Sequence, residues 1–206
     1  MIVAIARELG AGGHAVGEAV ARLLRVELLD NEIVDLVAAR MGAPTSYVAE
    51  RDEQVESFAD RLIRVFTAAH PEEYGAQALP DWSEDRLVQL TNDIIKEHAA
   101  SASLVVIGRG APMLLKDRPD VLRVFVTAPN EVRIKRVCER TSVTLEEAAR
   151  EIKKSDQRRT AYLKEHYGVE WREPHNYDIV VDTGRFTIDQ AAQLIVDAAT
   201  LIESHE

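Results

Sequence analysis

The sequence of residues 2–24, IVAIARELGAGGHAVGEAVARLL, joins an apolar run to an amphipathic stretch through a glycine-rich turn. Residues 2–5 are apolar and partly β-branched, which is typical of a strand. After the turn, apolar side chains recur at helical spacing, at Val16, Val20, Leu23 and Leu24. Backbone N–H groups of such a turn and the start of the helix together form an anion site. The stretch therefore predicts a strand, a phosphate-binding loop and a helix.

Two classes of nucleotide fit this glycine loop. The letters GAGGHA satisfy the G-x-G-x-x-A pattern of dinucleotide-binding folds, and Asp30 lies about 20 residues after Gly10, the spacing of a ribose-binding acid. The mononucleotide pattern G-x-x-x-x-G-K-[ST] instead places Arg7 at its first glycine, Gly13 at its lysine and His14 at its Ser/Thr. The loop alone leaves both alternatives open.

Four further short apolar runs follow the first, at residues 26–29, 104–107, 122–126 and 179–181. None of them alternates apolar with polar residues, and helical sequence separates each from the next. This pattern is typical of strands that are buried on both faces of a parallel sheet. The chain is therefore predicted to be a three-layer α/β protein with a five-stranded parallel sheet.

Two regions are longer than an ordinary connection between strands. Residues 44–99 are predicted to form a helical insertion, with apolar positions at helical spacing in both of its halves. Residues 141–171 are predicted to form a mobile lid, in which Thr144 caps a helix. Because no repeat or linker separates these regions from the rest, residues 1–206 are predicted to be a single domain.

Composition limits the partners and the compartment. The chain has 25 Lys and Arg against 35 Asp and Glu, a net charge of -10, which repels nucleic-acid polymers. Its N-terminus fits neither a signal peptide nor a membrane span, so we expect a cytoplasmic protein without a membrane partner. A single cysteine, Cys138, cannot build a disulfide scaffold or a metal cluster. The sequence leaves a homodimer open.

The negative charge is unevenly distributed. Residues 130–172 contain 11 basic and 8 acidic side chains, a local charge of +3. The zone fits a salt-bridged helix pair or a site for a small phosphate ligand. Within it, Arg133 and Arg136 are interpreted as surface ion-pair residues of Glu131 or Glu139.

Several later segments carry a family resemblance. The run 104–107 leads into Gly108-Arg109-Gly110, and the run 122–126 leads into APNEVRIKRVCER; SDQRRTAYLKEHYG and NYDIVVDTGRFT follow. Together with the glycine loop and LLDNEIVDL, their order resembles the cytidylate kinase-like family, a branch of the P-loop nucleoside monophosphate kinases, over nearly the whole chain. The resemblance implies a P-loop kinase fold and phosphorylation of a nucleoside monophosphate, CMP or dCMP, with ATP as donor and Mg²⁺.

The resemblance also implies roles for particular residues. The residues that would bind the phosphoryl donor, ATP, are Arg7, Gly10, Ala11, Gly12, Gly13 and His14. The catalytic arginines are Arg140, Arg158 and Arg159, of which the last two lie in the lid. Arg109 would hold the acceptor phosphate, and Asp30 and Asn31 align with the segment that contacts the acceptor nucleotide. No dedicated metal ligands are implied, because Mg²⁺ would be held by nucleotide phosphates and water, with Asp30 in its outer shell.

The chain departs from the family pattern at two places, because it has LDNEIVDL where cytidylate kinases tend to have LDSGxxYR and GRG in place of GRD. Its loop also lacks the lysine and Ser/Thr of the standard mononucleotide pattern, and members of the resembled family commonly have glycines where that lysine would stand. These departures keep open a nucleotide-sensing module on the same fold. A dinucleotide-binding oxidoreductase is the third alternative.

Overall fold

The computed structural model describes residues 1–30, 32–40 and 84–203. It divides the chain into two compact units. The first unit combines residues 1–29 with residues 99–206, and the second unit spans residues 30–98.

The first unit contains a five-stranded sheet in which every pairing is parallel. Its strands are β1 (Ile2–Arg7), β2 (Glu27–Leu29), β3 (Leu104–Ile107), β4 (Val121–Thr127) and β5 (Ile179–Asp182). All four residues of β3 are buried, in agreement with its apolar sequence without alternation. The predicted α/β class and the five-stranded parallel sheet are confirmed.

The described ranges contain seven helices. They are α1 (Gly13–Leu24), α2 (Glu32–Arg40), α3 (Glu84–Ser101), α4 (Ala111–Leu114), α5 (Asn130–Thr141), α6 (Leu145–Tyr167) and α7 (Ile188–Glu203). A 3₁₀ helix at Pro174–Asn176 precedes β5. Helix α6 begins as predicted, since the Thr144 hydroxyl accepts a hydrogen bond of 3.2 Å from the Glu147 N–H.

Helices cover both faces of the sheet. On one face, Val16 of α1 and Ile195 of α7 pack in the same core cluster as Ile5 of β1. On the other face, Phe125 of β4 packs with Trp171, and their ring centroids lie 5.6 Å apart. The predicted three layers are therefore present. The ring of Trp171 is buried against the sheet beyond the end of α6.

The second unit is described through α2 and the first part of α3. The buried apolar side chains of these helices include Ile33, Val34, Val37, Leu87, Leu90, Ile94 and Ile95. The last four have helical spacing and lie in the second half of the predicted insertion. Arg40 and Glu97 join the two helices, with 2.6 Å between Nη2 and Oε2. The remainder of the predicted insertion, residues 44–83, lies outside the described residues.

Strand order distinguishes the two interpretations of the glycine loop. The order is β2-β3-β1-β4-β5, so β3 lies between β1 and β2. In the dinucleotide-binding fold the second strand lies directly beside the first, which brings its terminal acid to the loop. The observed order does not match that arrangement, and it favours the mononucleotide interpretation.

Candidate functional site

The glycine loop lies at the carboxyl end of β1. The strand continues two residues beyond the predicted run, because Ala6 and Arg7 still pair with β4, and α1 begins at Gly13. Gly10 and Gly12 have φ angles of 80° and 75°, a left-handed conformation that side chains with a Cβ rarely adopt. A Cβ at Gly10 would also lie 2.7 Å from the Arg133 carbonyl oxygen. The shape of the loop therefore depends on both glycines.

Two side chains outside the loop hold its carbonyl groups. The Thr183 hydroxyl donates a hydrogen bond of 2.6 Å to the Ala11 carbonyl. Arg136 donates to the Thr183 hydroxyl at 2.9 Å and to the Gly10 carbonyl at 3.4 Å. The expectation that Arg136 forms a surface ion pair is wrong, since the side chain is half-buried and binds the loop and the end of β5. The sequence signal for this contact is the segment DTG, in which Asp182 ends β5 and Thr183 follows it.

Arg7 crosses the carboxyl edge of the sheet. A Cβ on Gly13 would overlap the Cβ and Cγ atoms of Arg7, and a Cβ on Gly108 would overlap its Nη1. The side chain therefore runs from the end of β1, past the first residue of α1, to the residue that follows β3. Open α/β sheets bind their ligands at this edge.

Arg159 on α6 lies near Arg7. Its Nη1 atom is buried and, among the described residues, has no hydrogen-bond partner. Burial, and after it the nearby Arg7 guanidinium, lower the pKa of Arg159 to about 9. Arg159 is therefore still a cation at neutral pH, in a place that disfavours its charge. The guanidinium also lies over the Trp171 ring, with Cζ 5.8 Å from the ring centroid, so the unpartnered group is the Nη1 donor. A phosphate oxygen would satisfy this donor, and the atom therefore marks a candidate phosphate site.

A buried ion-pair network connects the loop with α5 and α6. Glu8 Oε1 lies 2.5 Å from Arg172 Nη2 and 3.4 Å from Arg133 Nη1. Arg133 also donates 2.7 Å hydrogen bonds to Asp156 Oδ1 and to the Leu9 carbonyl. The predicted surface ion pair of Arg133 is wrong, because only 4% of its side chain is exposed and its partners lie in the loop and α6. The charges on these elements were visible in the sequence, but their pairing was not.

Arg109 follows β3 in an unusual backbone conformation. Its φ is 54°, and the flanking Gly108 and Gly110 also have positive φ. The Arg109 carbonyl oxygen lies 3.5 Å from the hydroxyl oxygens of Tyr162 and Tyr167 on α6. The turn after β3 therefore consists of three successive residues in the left-handed conformation, and α6 packs against its backbone.

The other predicted site residues lie in several places. His14 is on the first turn of α1, with Nε2 3.3 Å from Glu18 Oε1. Asp30 is buried at the start of the second unit, and its N–H donates to Glu32 Oε2 at 3.3 Å. Arg158 is half-buried beside Arg159, and Arg140 is exposed in the last turn of α5. Asn31 lies outside the described residues.

Residues 1–30, 32–40 and 84–203 contain no group of three or more His, Cys, Asp or Glu side chains that could hold a metal ion. None of their helices is both long enough and apolar enough to cross a bilayer.

Comparisons with known proteins agree on one family and one fold. The family model of the cytidylate kinase-like family matches residues 2–185. The cytidylate kinase of Pyrobaculum neutrophilum is 27% identical over 199 residues, which cover 96% of this chain and 91% of that protein. A protein of Eubacterium ventriosum has a crystal structure similar to this one, with a TM-score of 0.71 and 23% identity over 97% of this chain and 98% of that chain. Shikimate kinase from Bacteroides thetaiotaomicron shares the fold at a TM-score of 0.54 and 15% identity, over 97% of this chain and 98% of that chain.

Proposed function

Since the chain belongs to the cytidylate kinase-like family, we propose that it transfers a phosphoryl group from ATP to a nucleoside monophosphate. CMP and dCMP are the proposed acceptors, because the relative from Pyrobaculum neutrophilum is named a cytidylate kinase. The observation that carries the proposal is the buried, unpartnered Nη1 of Arg159, which lies near Arg7 at the carboxyl edge of the sheet. In this proposal residues 1–206 act as one cytoplasmic kinase domain.

The donor phosphates would bind at residues 10–14. The start of α1 offers N–H groups there, and Arg7 and Arg159 add positive charge. Phosphoryl transfer depends mainly on positioning and on charge around the transferred group, which such a set of donors can supply. N–H groups and guanidinium groups bind phosphate oxygens and do not bind metals, so Mg²⁺ would be held by the nucleotide phosphates and water, with Asp30 in its outer shell. When bound, Mg²⁺ supplies further neutralisation of phosphate charge.

The acceptor phosphate would bind to Arg109. This side chain emerges at the carboxyl end of a buried strand, and its planar guanidinium can form two hydrogen bonds to one phosphate. We propose that Asp30 and Asn31 contact the acceptor nucleotide. Residues 141–171 would close over the bound pair, so that Arg140 and Arg158 join Arg159 around the reacting phosphates.

A nucleotide sensor is the second candidate function. It is favoured by one observation, namely that Gly13 and His14 stand where a mononucleotide loop has its lysine and Ser/Thr. The two candidates differ in turnover. A sensor binds nucleotide without producing ADP, whereas a kinase releases ADP only when a suitable acceptor is present.

The test is a coupled ADP-release assay across the common nucleoside monophosphates, with ATP and MgCl₂ in excess. Nucleotide binding is measured in parallel by calorimetry. We expect ADP release to depend on the acceptor and to be fastest with CMP or dCMP. Tight nucleotide binding without release for any acceptor would replace the kinase proposal with the sensor.

A further inference from the structure

The glycine loop lacks a cation where mononucleotide loops usually have one. In the common pattern a lysine in the first turn of the helix reaches the phosphates that are being separated. Gly13, the first residue of α1, occupies that position here and has no side chain. A kinase built on this loop therefore needs positive charge from another residue.

Steric contacts show why position 13 has no side chain. The space that its Cβ would take is already filled by the Cβ and Cγ atoms of Arg7. At the far end of the same side chain, Arg7 Nη1 fills the space of a Cβ on Gly108. Arg7 thus depends on two glycines, one on each side of its path, and a side chain at either position would displace it.

The position of Arg159 supplies the second part of the argument. After burial, the charge of the Arg7 guanidinium is the largest cause that lowers the pKa of Arg159, whereas the carboxylates of Asp156 and Glu8 raise it. A further anion bound by both guanidinium groups would relieve the repulsion between them. Arg159 Nη1 is buried without a hydrogen-bond partner in the described part of the chain, so it has a donor to offer to such an anion.

We propose that Arg7 replaces the missing loop lysine and that Arg7 and Arg159 together bind the phosphoryl group during its transfer. This inference rests on the proposed kinase function and names the catalytic cation of that site. An oxygen of the acceptor phosphate dianion forms a bond to the γ-phosphorus of ATP, and the bond from that phosphorus to the β,γ-bridging oxygen breaks. The electron pair stays on the leaving ADP, and both arginines remain protonated throughout.

A charge-relocation experiment tests the proposal. Arg7→Gln keeps the Cβ and Cγ atoms that pack over Gly13 and removes the charge. The double variant Arg7→Gly with Gly13→Lys removes the side chain that fills the space beside residue 13 and places a lysine at the usual position of the mononucleotide loop. Arg150→Gln removes an exposed arginine from α6 and serves as the matched control. Two quantities are measured for each variant, namely kcat with the best acceptor and the affinity for inorganic pyrophosphate by calorimetry.

For Arg7→Gln we expect a fall in kcat of about a hundredfold and a fall in pyrophosphate affinity of about tenfold or more. The double variant should recover at least about tenfold of the lost kcat, and Arg150→Gln should match the wild type. If Arg7→Gln does not fold, Arg7→Lys is measured instead, and about a fivefold loss of pyrophosphate affinity is expected because an ammonium group cannot form the paired geometry.

The two readouts separate failure of this inference from failure of the proposed function. If the wild type turns over an acceptor while Arg7→Gln keeps its kcat and pyrophosphate affinity within twofold, the role of Arg7 is overturned and the kinase function stands. If the wild type shows no turnover but binds pyrophosphate in a manner that requires Arg7, the paired-arginine anion site is supported and the kinase function fails.

Discussion

Arg133 on α5 donates a hydrogen bond of 2.7 Å from Nη2 to Asp156 Oδ1 on α6, and the two side chains are only 4% and 15% exposed. Glu8 of the glycine loop lies within 3.4 Å of the same arginine. Asp156 stands three residues before Arg159 on α6, so this pair fixes the helix that carries the candidate phosphate ligand relative to the loop. The network is therefore expected to position the site as well as to stabilise the fold.

Removal of one partner should show that stabilisation. Asp156→Asn leaves a buried guanidinium short of negative charge, and we expect the free energy of unfolding to fall by about 3 kcal/mol. Lys135→Met is the matched comparison, because Lys135 and its partner Glu139 are 76% and 64% exposed and the loss of this pair should cost less than about 1 kcal/mol. Urea denaturation followed by circular dichroism measures both. Equal losses for the two variants would show that burial of the pair contributes nothing extra.

Gly12 should be required for donor binding. A Cβ there would meet Ile188 Cδ1 at 2.8 Å and would strain a backbone with φ of 75°, so Gly12→Val should abolish ATP binding in calorimetry. Gly168→Val is the control, because Gly168 also has a positive φ of 68° but has no atom within 4 Å of its Cβ position. It should destabilise the fold by about 1–2 kcal/mol and leave ATP affinity unchanged. Wild-type ATP affinity in folded Gly12→Val would refute the loop assignment.

Arg109 allows acceptor binding to be separated from stability. Arg109→Gly removes the side chain and suits the left-handed backbone, with φ of 54°, so relief of backbone strain should offset part of the stability lost with the side chain's interactions. The KM of the acceptor should nevertheless rise about tenfold to a hundredfold, with ATP affinity unchanged. Arg109→Lys should recover little of the loss. A lower melting temperature with an unchanged acceptor KM would indicate a structural role instead.

Arg159→Lys should create a pH-dependent anion site. The charged groups that act on position 159 are Arg7, Glu8, Arg133 and Asp156, and burial and Arg7 lower the pKa there. A lysine begins from a pKa of about 10.4, so the same surroundings bring its titration toward neutral pH. The variant should bind pyrophosphate at low pH and lose affinity, relative to the wild type, as pH rises from 6 to 9. Calorimetry at several pH values measures that ratio, and a constant ratio would contradict the buried placement of residue 159.

Local sequence patterns predicted much of the fold. Each strand was marked by an apolar run because both faces of the sheet are covered, and Thr144 marked the start of α6 because capping depends on neighbours within one turn. These features are determined over a few residues and can therefore be derived without tertiary contacts.

The contacts that assemble the site could not be predicted in the same way. Arg133 and Glu8 are 125 positions apart, and Thr183 reaches a loop carbonyl 172 positions away. Arg133 and Arg136 lie near acidic residues of their own helix, which favoured a surface pairing, but packing of α5 against the loop offered buried partners instead. The path of Arg7 past Gly13 and Gly108 likewise depends on the adjacency of β1 and β3.

The most direct test of the kinase proposal is chemical detection of its product. Purified protein is incubated with ATP, MgCl₂ and CMP, and CDP and ADP are quantified by anion-exchange chromatography beside the Arg159→Gln and Arg150→Gln variants. We predict equal amounts of CDP and ADP from the wild type and from Arg150→Gln, and a loss of about a hundredfold or more for Arg159→Gln. Failure of the wild type to form a diphosphate from CMP or any other nucleoside monophosphate, while it still binds ATP, would contradict the account.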